Sequence, residues 1–166
     1  MIWLLYFTET LVLPFEIKMV KSRLLEQVKL LETFKRPYSS TAAAGIPYKF
    51  NGFFKENEFR IFKSLQAPQN FIPLVIGRIE PTSGGCILFI TYTLFFSTRM
   101  FLIFWTLICI GFVLFFSLIH QNIFMSVVAF ILGLINYLIA VAGFRMHLKK
   151  TRRELHEIFN IQQTPL

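Results

Sequence analysis

The chain has 166 residues and a formal net charge of +8, and it is 55% hydrophobic but only 16% charged. Because an average soluble domain carries about 25% charged residues, this composition argues against an ordinary soluble protein. No Asp, Glu, Lys or Arg lies between residues 100 and 144, whereas twelve Lys/Arg precede that block and five follow it. An uncharged block of this length can cross a bilayer twice, at about 20 residues per crossing.

The basic excess has two readings, nucleic-acid binding and orientation in a membrane. No RNA- or DNA-binding motif accompanies the charge. Lys and Arg that flank apolar helices instead follow the positive-inside rule, which places them on the cytoplasmic side. We therefore expect membrane lipid, and not nucleic acid, to be the partner of these basic residues.

The first predicted element is a strand over about residues 2–12. Its apolar start, "MIWLLYF", has an uncleaved membrane anchor as the alternative reading, although it is short for a span. A helix over about residues 15–34 follows. Pro14 suits a first helical turn, and apolar residues then recur at spacings of three and four.

Alternation of apolar and polar residues predicts four further strands, over about residues 47–55, 59–65, 74–80 and 86–95. The segment "PTSGG" (81–85) is predicted to be a five-residue hairpin loop. An antiparallel meander with one helix on its face is a stable two-layer arrangement. We therefore predict an α+β membrane protein in which residues 1–98 form a cytoplasmic domain.

Residues 101–144 are predicted to form a transmembrane hairpin of two helices, 101–119 and 123–144. The first would be about 28 Å long at 1.5 Å per residue, close to the hydrocarbon thickness. Ser97 to Arg99 form a three-residue link to the last strand, and a basic helical tail, 145–166, continues the second helix. We expect a multi-pass protein of the inner or plasma membrane with both termini cytoplasmic, the thylakoid membrane being the alternative.

Small and polar residues form a seam along one face of the second membrane helix, at spacings of three and four: Ser126, Ala129, Gly133, Asn136, Ala140 and Gly143. Close backbone approach and interhelical hydrogen bonds hold helices together in lipid. On the first helix, Thr106, Ile110, Val113 and Ser117 could face this seam. The seam therefore predicts packing within the hairpin, with a homodimer or a larger complex as the alternative.

The tail carries basic residues directly after the membrane helix: Arg145, Lys149, Arg152 and Arg153. Each such residue attracts anionic lipid by about 1 kcal/mol. The pattern therefore predicts contact with anionic headgroups. The alternative is that these charges only set the membrane orientation.

Patterns typical of catalysis are missing from the sequence. The chain has no Asp, and we find no Ser/His/Asp set, no Gly-rich phosphate loop and no HExxH motif. His120, His147 and His156 are not clustered, and Cys86 and Cys109 are not expected to meet. We therefore expect neither an enzyme nor a bound cofactor or metal.

Turn and strand motifs over about residues 48–160 resemble those of a family of small, uncharacterised two-span membrane proteins from bacteria, cyanobacteria among them. The matching positions are Phe50/Gly52, Phe59/Ile61, Asn70/Pro73, Gly77/Ile79/Glu80 and Gly85 to Ile87, before the hairpin. Pro68-Gln69-Asn70 stands where the family tends to have Arg-Asn-Ser. The resemblance implies a fold and a membrane location, but no activity.

These features together predict a non-enzymatic, membrane-anchored interaction or accessory subunit with a domain held at the cytoplasmic membrane surface. Its partner would be another protein or a second copy of the chain. The alternative is a membrane module that binds a lipid or a small molecule on an apolar face of the sheet.

Overall fold

The fold is α+β, as the sequence predicts, and consists of a six-stranded mixed sheet and three helices. It is seen in a computed structural model that describes residues 5–30, 48–64 and 71–159. The strands are β1 (Tyr6–Leu13), β2 (Val28–Leu30), β3 (Phe50–Lys55), β4 (Glu58–Lys63), β5 (Pro73–Thr82) and β6 (Gly85–Leu94). The helices are α1 (Ile17–Gln27), α2 (Phe96–Leu114) and α3 (Ile123–Ile158), and a π-helical segment, Phe115–Ile119, prolongs α2.

The strands lie in the order β1-β6-β5-β4-β3-β2. The predicted meander of β3 to β6 is antiparallel throughout, and β1 pairs antiparallel with β6 at one edge of the sheet. At the other edge β2 runs parallel to β3. The helix α1 therefore carries the chain across the whole sheet, from one edge strand to the other.

The helix predicted over residues 15–34 ends at Gln27, and the prediction was wrong for Val28–Leu30, which form β2. Val28 continues the apolar spacing of α1, but it pairs with Phe50 in the parallel ladder and is fully buried there. A β-branched residue suits such a pleated, buried position better than a helix end. Residues 31–34 lie outside the described ranges.

The hairpin between β5 and β6 is tighter than predicted. Thr82 pairs with Gly85, which leaves a two-residue turn, Ser83 and Gly84, in place of a five-residue loop. Gly85 has φ +147° and lies against the backbone of Leu13, where a Cβ would collide with the Leu13 carbonyl oxygen. Only glycine adopts this backbone conformation without strain, so the tight turn depends on it.

One face of the sheet, the core face, is covered by α1 and by the last turns of α3. Val20 and Leu24 of α1 and Leu155 and Phe159 of the chain's last described turns are buried against it. The basic helical tail predicted over 145–166 is therefore part of the core as far as Phe159. Residues 160–166 lie outside the described ranges.

Two helices are long and apolar enough to cross a membrane, α2 with its π-helical extension and α3. In each, only 6% of the most apolar window is buried. The helix α2 begins at Phe96, five residues before the predicted start, and Phe95 alone separates it from β6. Ser97 to Arg99 are thus the first turn of α2 and not a link.

Replacing Gly77 with Ala tests the packing of the sheet. Gly77 pairs with Phe59, whose ring lies directly over the glycine, so that a Cβ would overlap it. We expect Gly77→Ala to lower the free energy of unfolding by about 1–3 kcal/mol, the usual cost of overpacking. The measurement is denaturant unfolding of the purified protein in detergent, followed by circular dichroism.

The matched control is Gly84→Ala, because nothing lies within 4 Å of a Cβ built there. We expect that variant to change stability by less than about 0.5 kcal/mol. Equal stability of the two variants would contradict the packing of Phe59 over Gly77.

Candidate functional site

A buried polar cluster joins the edge strand β1 to the end of α3. The Tyr92 hydroxyl donates a hydrogen bond to Glu9 Oε1 at 2.6 Å, and Arg152 Nε donates to Glu9 Oε2 at 2.6 Å. The His156 Nε2 atom lies 3.2 Å from Glu9 Oε1. The Glu9 and His156 side chains are each only 7% exposed. We call Glu9, Tyr92, Arg152 and His156 the Glu9 cluster.

The local structure explains why these four residues meet. Alternation along β1 places Glu9 on the core face, since Thr8 and Thr10 are exposed on the other. Phe7, on the same face as Glu9, pairs with Tyr92 of β6. Arg152 and His156 are four residues apart and so lie on one side of α3. The Arg152 guanidinium also stacks 5.3 Å from the centre of the Phe7 ring.

The electrostatics of the cluster favour a fixed arrangement. Burial, and then the hydrogen bond to Glu9, raise the pKa of Tyr92 above its ordinary range, so this phenol stays neutral and acts as a donor. Both carboxylate oxygens of Glu9 already have partners, which leaves neither aimed at a ligand. The chemistry of this set is therefore that of a clamp between helix and sheet.

A second polar link lies on the other side of α3. Lys63 of β4 pairs with Glu154, and the more exposed Lys49 stands 3.9 Å from Glu157. Close by, burial first, and then Lys63 and Lys150, lower the pKa of His147. Ion pairs on both sides thus hold the end of α3 to the sheet.

The four basic residues that the sequence predicts to contact anionic lipid lie in different environments. Arg152 is bound to Glu9, and its side chain is 33% exposed. Arg153 is exposed and lies 3.7 Å from Glu157. Arg145 and Lys149 are exposed on α3. The helical spacing of these basic residues gives no indication that Arg152 pairs with Glu9, which lies 143 residues away in the chain.

The six residues of the predicted seam are the more shielded face of α3: Ser126, Ala129, Gly133, Asn136, Ala140 and Gly143. Ser126 Oγ donates to the Val113 carbonyl oxygen at 3.2 Å. A Cβ built on Gly133 would lie 3.1 Å from the Cys109 Cβ. Gly143 instead packs against Phe71 of the sheet region. Of the residues expected to face the seam, Thr106 and Val113 of α2 are half-buried, whereas Ile110 of α2 and Ser117 of the π-helical segment are exposed.

An open groove of about 590 Å³ lies between the sheet and the helical hairpin. Its lining is mostly apolar and comes from four elements and the residue before β1: Leu5, Tyr6, Thr93, Leu94, Arg99, Leu102, Ile103, Thr106, Leu107 and Tyr137. Arg99 is the only charged residue among them. It forms no ion pair with any residue in the described ranges.

Sequence reasoning missed the Glu9 cluster, although a local indication exists. Glu9 shares the period-two face of Phe7, Leu11 and Leu13, so a single acid stands in an otherwise apolar row. Such an acid needs a buried partner. The groove had no comparable indication, because its walls are more than 130 residues apart in the chain, from Leu5 to Tyr137.

Within the described ranges, no three His, Cys, Asp or Glu side chains come together in a way that could hold a metal ion. Burial raises the pKa of the Cys86 thiol, which therefore lacks the thiolate character of a nucleophile. Comparison with protein-family models, with curated proteins and with solved structures finds no match to the chain.

Replacing Gly133 with Cys tests what the seam faces. We expect Gly133→Cys to form an intrachain disulfide with Cys109 under mild oxidation, because the Cβ separation of 3.1 Å needs only a small outward shift to reach the range of about 3.5–4.5 Å. Mass spectrometry should show that the thiols at positions 109 and 133 are both protected from alkylation. On a non-reducing gel the variant should migrate as a monomer.

The matched control is Leu134→Cys, one residue along, on the exposed side of α3. It should leave Cys109 free to react with the alkylating reagent. A covalent dimer formed by Gly133→Cys, without the intrachain bond, would instead assign the seam to contact between two copies.

Replacing Glu9 with Gln tests the clamp. The neutral amide keeps one accepting oxygen in place of two and lacks the charge that pairs with Arg152, so we expect a loss of about 1–3 kcal/mol in the free energy of unfolding. The measurement is thermal or denaturant unfolding in detergent. Glu26→Gln, at an exposed position on α1, is the control, and an equal effect of both changes would show that the buried ion pair contributes nothing.

Proposed function

We propose that this protein is an integral membrane protein that spans the bilayer with α2 and α3. The support is a large exposed apolar surface on both helices, which a soluble monomer rarely carries. Arg99 and Arg145 stand at the end of the hairpin next to the sheet, whereas the opposite turn, His120 to Asn122, carries no Lys, Arg, Asp or Glu. The positive-inside rule therefore favours a cytoplasmic sheet domain and cytoplasmic termini.

Within that membrane, we propose a non-enzymatic interaction or accessory subunit. The observation that carries this proposal is the rigid mounting of the sheet on the hairpin. One residue, Phe95, joins β6 to α2, and α3 passes without a break from the hairpin into the core. The Glu9 cluster then fixes the rotation of α3 against the sheet. A domain held in this way presents one surface at a constant height above the membrane and at a constant angle to it.

That surface is the face of the sheet opposite α1, which we call the open face. Threonines of β1 and β6 lie side by side there, with Thr8 opposite Thr91, and Thr10 opposite Phe89. Phe89 is 41% exposed, and Arg78 pairs beside it in β5. Aromatic residues and arginine are enriched where proteins meet other proteins. The edge strand β1 adds backbone groups that can pair with an incoming strand.

A photo-crosslinking phenylalanine analogue at position 89 tests the partner surface. We expect one defined adduct in native membranes, identified by mass spectrometry, and loss of the corresponding complex with Phe89→Arg. The control position is Met19 on α1, which is 50% exposed but lies on the other side of the sheet. A monomer without an adduct at position 89, or equal adducts at positions 89 and 19, would contradict the proposal.

A lipid- or small-molecule-binding module is the second candidate function, and the groove beside Arg99 favours it. The two candidates use different parts of the open face, since Tyr6 and Thr93 line the groove whereas the crosslinking position Phe89 does not.

We also propose kinship with the small two-span bacterial family. In support, two glycines of the shared motifs, Gly77 and Gly85, occupy positions where a side chain would collide with a neighbour. Motifs made of such residues report on the fold of a chain and not on a reaction. The kinship therefore agrees with a non-enzymatic role but does not specify the partner.

A further inference from the structure

We propose that the groove between the sheet and the hairpin is a binding site for one anionic phospholipid. Its phosphate would bind Arg99, and one acyl chain would lie along α2. The site rests on the proposed insertion of α2 and α3 into a membrane. It does not depend on the partner surface of the open face.

The depth of Arg99 matches that of a headgroup. Gly133 of α3 lies against Cys109 of α2, and the two helices run antiparallel. Ten residues further toward the sheet on each helix stand Arg99 and Gly143, so these two are level with each other and with the start of the basic tail. At 1.5 Å per residue, Thr106 lies about 10 Å deeper than Arg99 along α2. The groove thus extends from the headgroup level into the hydrocarbon.

The charge in the lining lies at the end of the groove next to the sheet. Arg99 stands there beside Tyr6 and Thr93, whereas the lining further along α2, from Leu102 to Leu107, is uncharged and mostly apolar. A phospholipid likewise carries its charge in the headgroup and none in the acyl chain. The groove volume of about 590 Å³ also falls in the range of about 300–1,000 Å³ that is usual for bound small molecules.

Arg99 has the charge and the geometry for a phosphate. It is half-buried, and its guanidinium makes no ion pair or hydrogen bond with any residue of 5–30, 48–64 or 71–159. A guanidinium can bind two phosphate oxygens at once, and it is favoured over other cations where such planar recognition is needed. Arg145 differs, because it is exposed outside the groove, where its charge attracts anionic lipid without a defined contact.

Retention of lipid through purification tests the site. The full-length protein is reconstituted in bilayers of phosphatidylglycerol and phosphatidylcholine, extracted in mild detergent and examined by native mass spectrometry. We expect one phosphatidylglycerol per chain in the wild type. Arg99→Gln should reduce its retention about tenfold or more, because it removes hydrogen bonds between a guanidinium and a charged phosphate, which contribute about 1.5 kcal/mol or more.

The matched control is Arg145→Gln, at the same level but outside the groove, and it should change retention less than twofold. Ile103→Trp should fill the groove and lower retention while Arg99 remains. Thermal unfolding of each variant shows whether it is folded. The photo-crosslink at position 89 should survive Arg99→Gln, which separates failure of this site from failure of the partner surface.

Four results would each overturn the site. They are equal losses for Arg99→Gln and Arg145→Gln, equal retention of both lipids, displacement of the lipid by excess inorganic phosphate, and binding that begins only after residues 2–4 are deleted. Equal losses for the two Arg variants would mean that any basic residue near the membrane surface retains the lipid equally well. Equal retention of both lipids would mean that the headgroup charge plays no part in binding. The third would indicate a site for free phosphate. The fourth would assign the groove to the chain's own start.

Discussion

One unbroken helix, α3, belongs both to the apolar hairpin and to the core of the sheet domain, and the other elements are arranged around it. Its first two-thirds expose large apolar side chains, whereas its last turns bury Thr151, Leu155 and His156. A helix of 36 residues is about 54 Å long, more than a bilayer crossing needs. The surplus lies beside α1 in the helical layer on the core face, so the apolar hairpin and the domain core share one helix.

The Glu9 cluster gives this shared helix its rotational setting. A buried ion pair is weak evidence for stability, because desolvation offsets much of the attraction between the charges. Its geometry is selective, however. A shift of α3 by one residue turns each side chain by about 100° and removes Arg152 and His156 from Glu9. Packing by Leu155 and Phe159 alone would tolerate more such shifts, so we infer that the polar contacts select one arrangement.

Sequence reasoning succeeded where a pattern is local and failed where the partner is distant. Uncharged length and period-two alternation located both long helices and the meander of β3 to β6, because each depends on neighbouring residues. The end of α1 was missed because Val28 fits both the helical spacing of α1 and a buried strand position. Only its pairing with Phe50 decides between the two. The pairing of Arg152 with Glu9 was missed because nothing near Arg152 in the sequence indicates it. The groove, likewise, exists only where β1, β6 and the hairpin meet.

The position of Arg152 and His156 so late in the chain has a consequence for the order of folding. During synthesis, β1 to β6 emerge before α3, and at that stage Glu9 has a hydroxyl neighbour in Tyr92 but no cation. The core face also lacks Phe144, Leu155 and Phe159. The core face therefore stays incompletely covered until the hairpin has been made, and a ribosome stalled before residue 152 would hold a chain whose edge strand still carries an acid without its cationic partner.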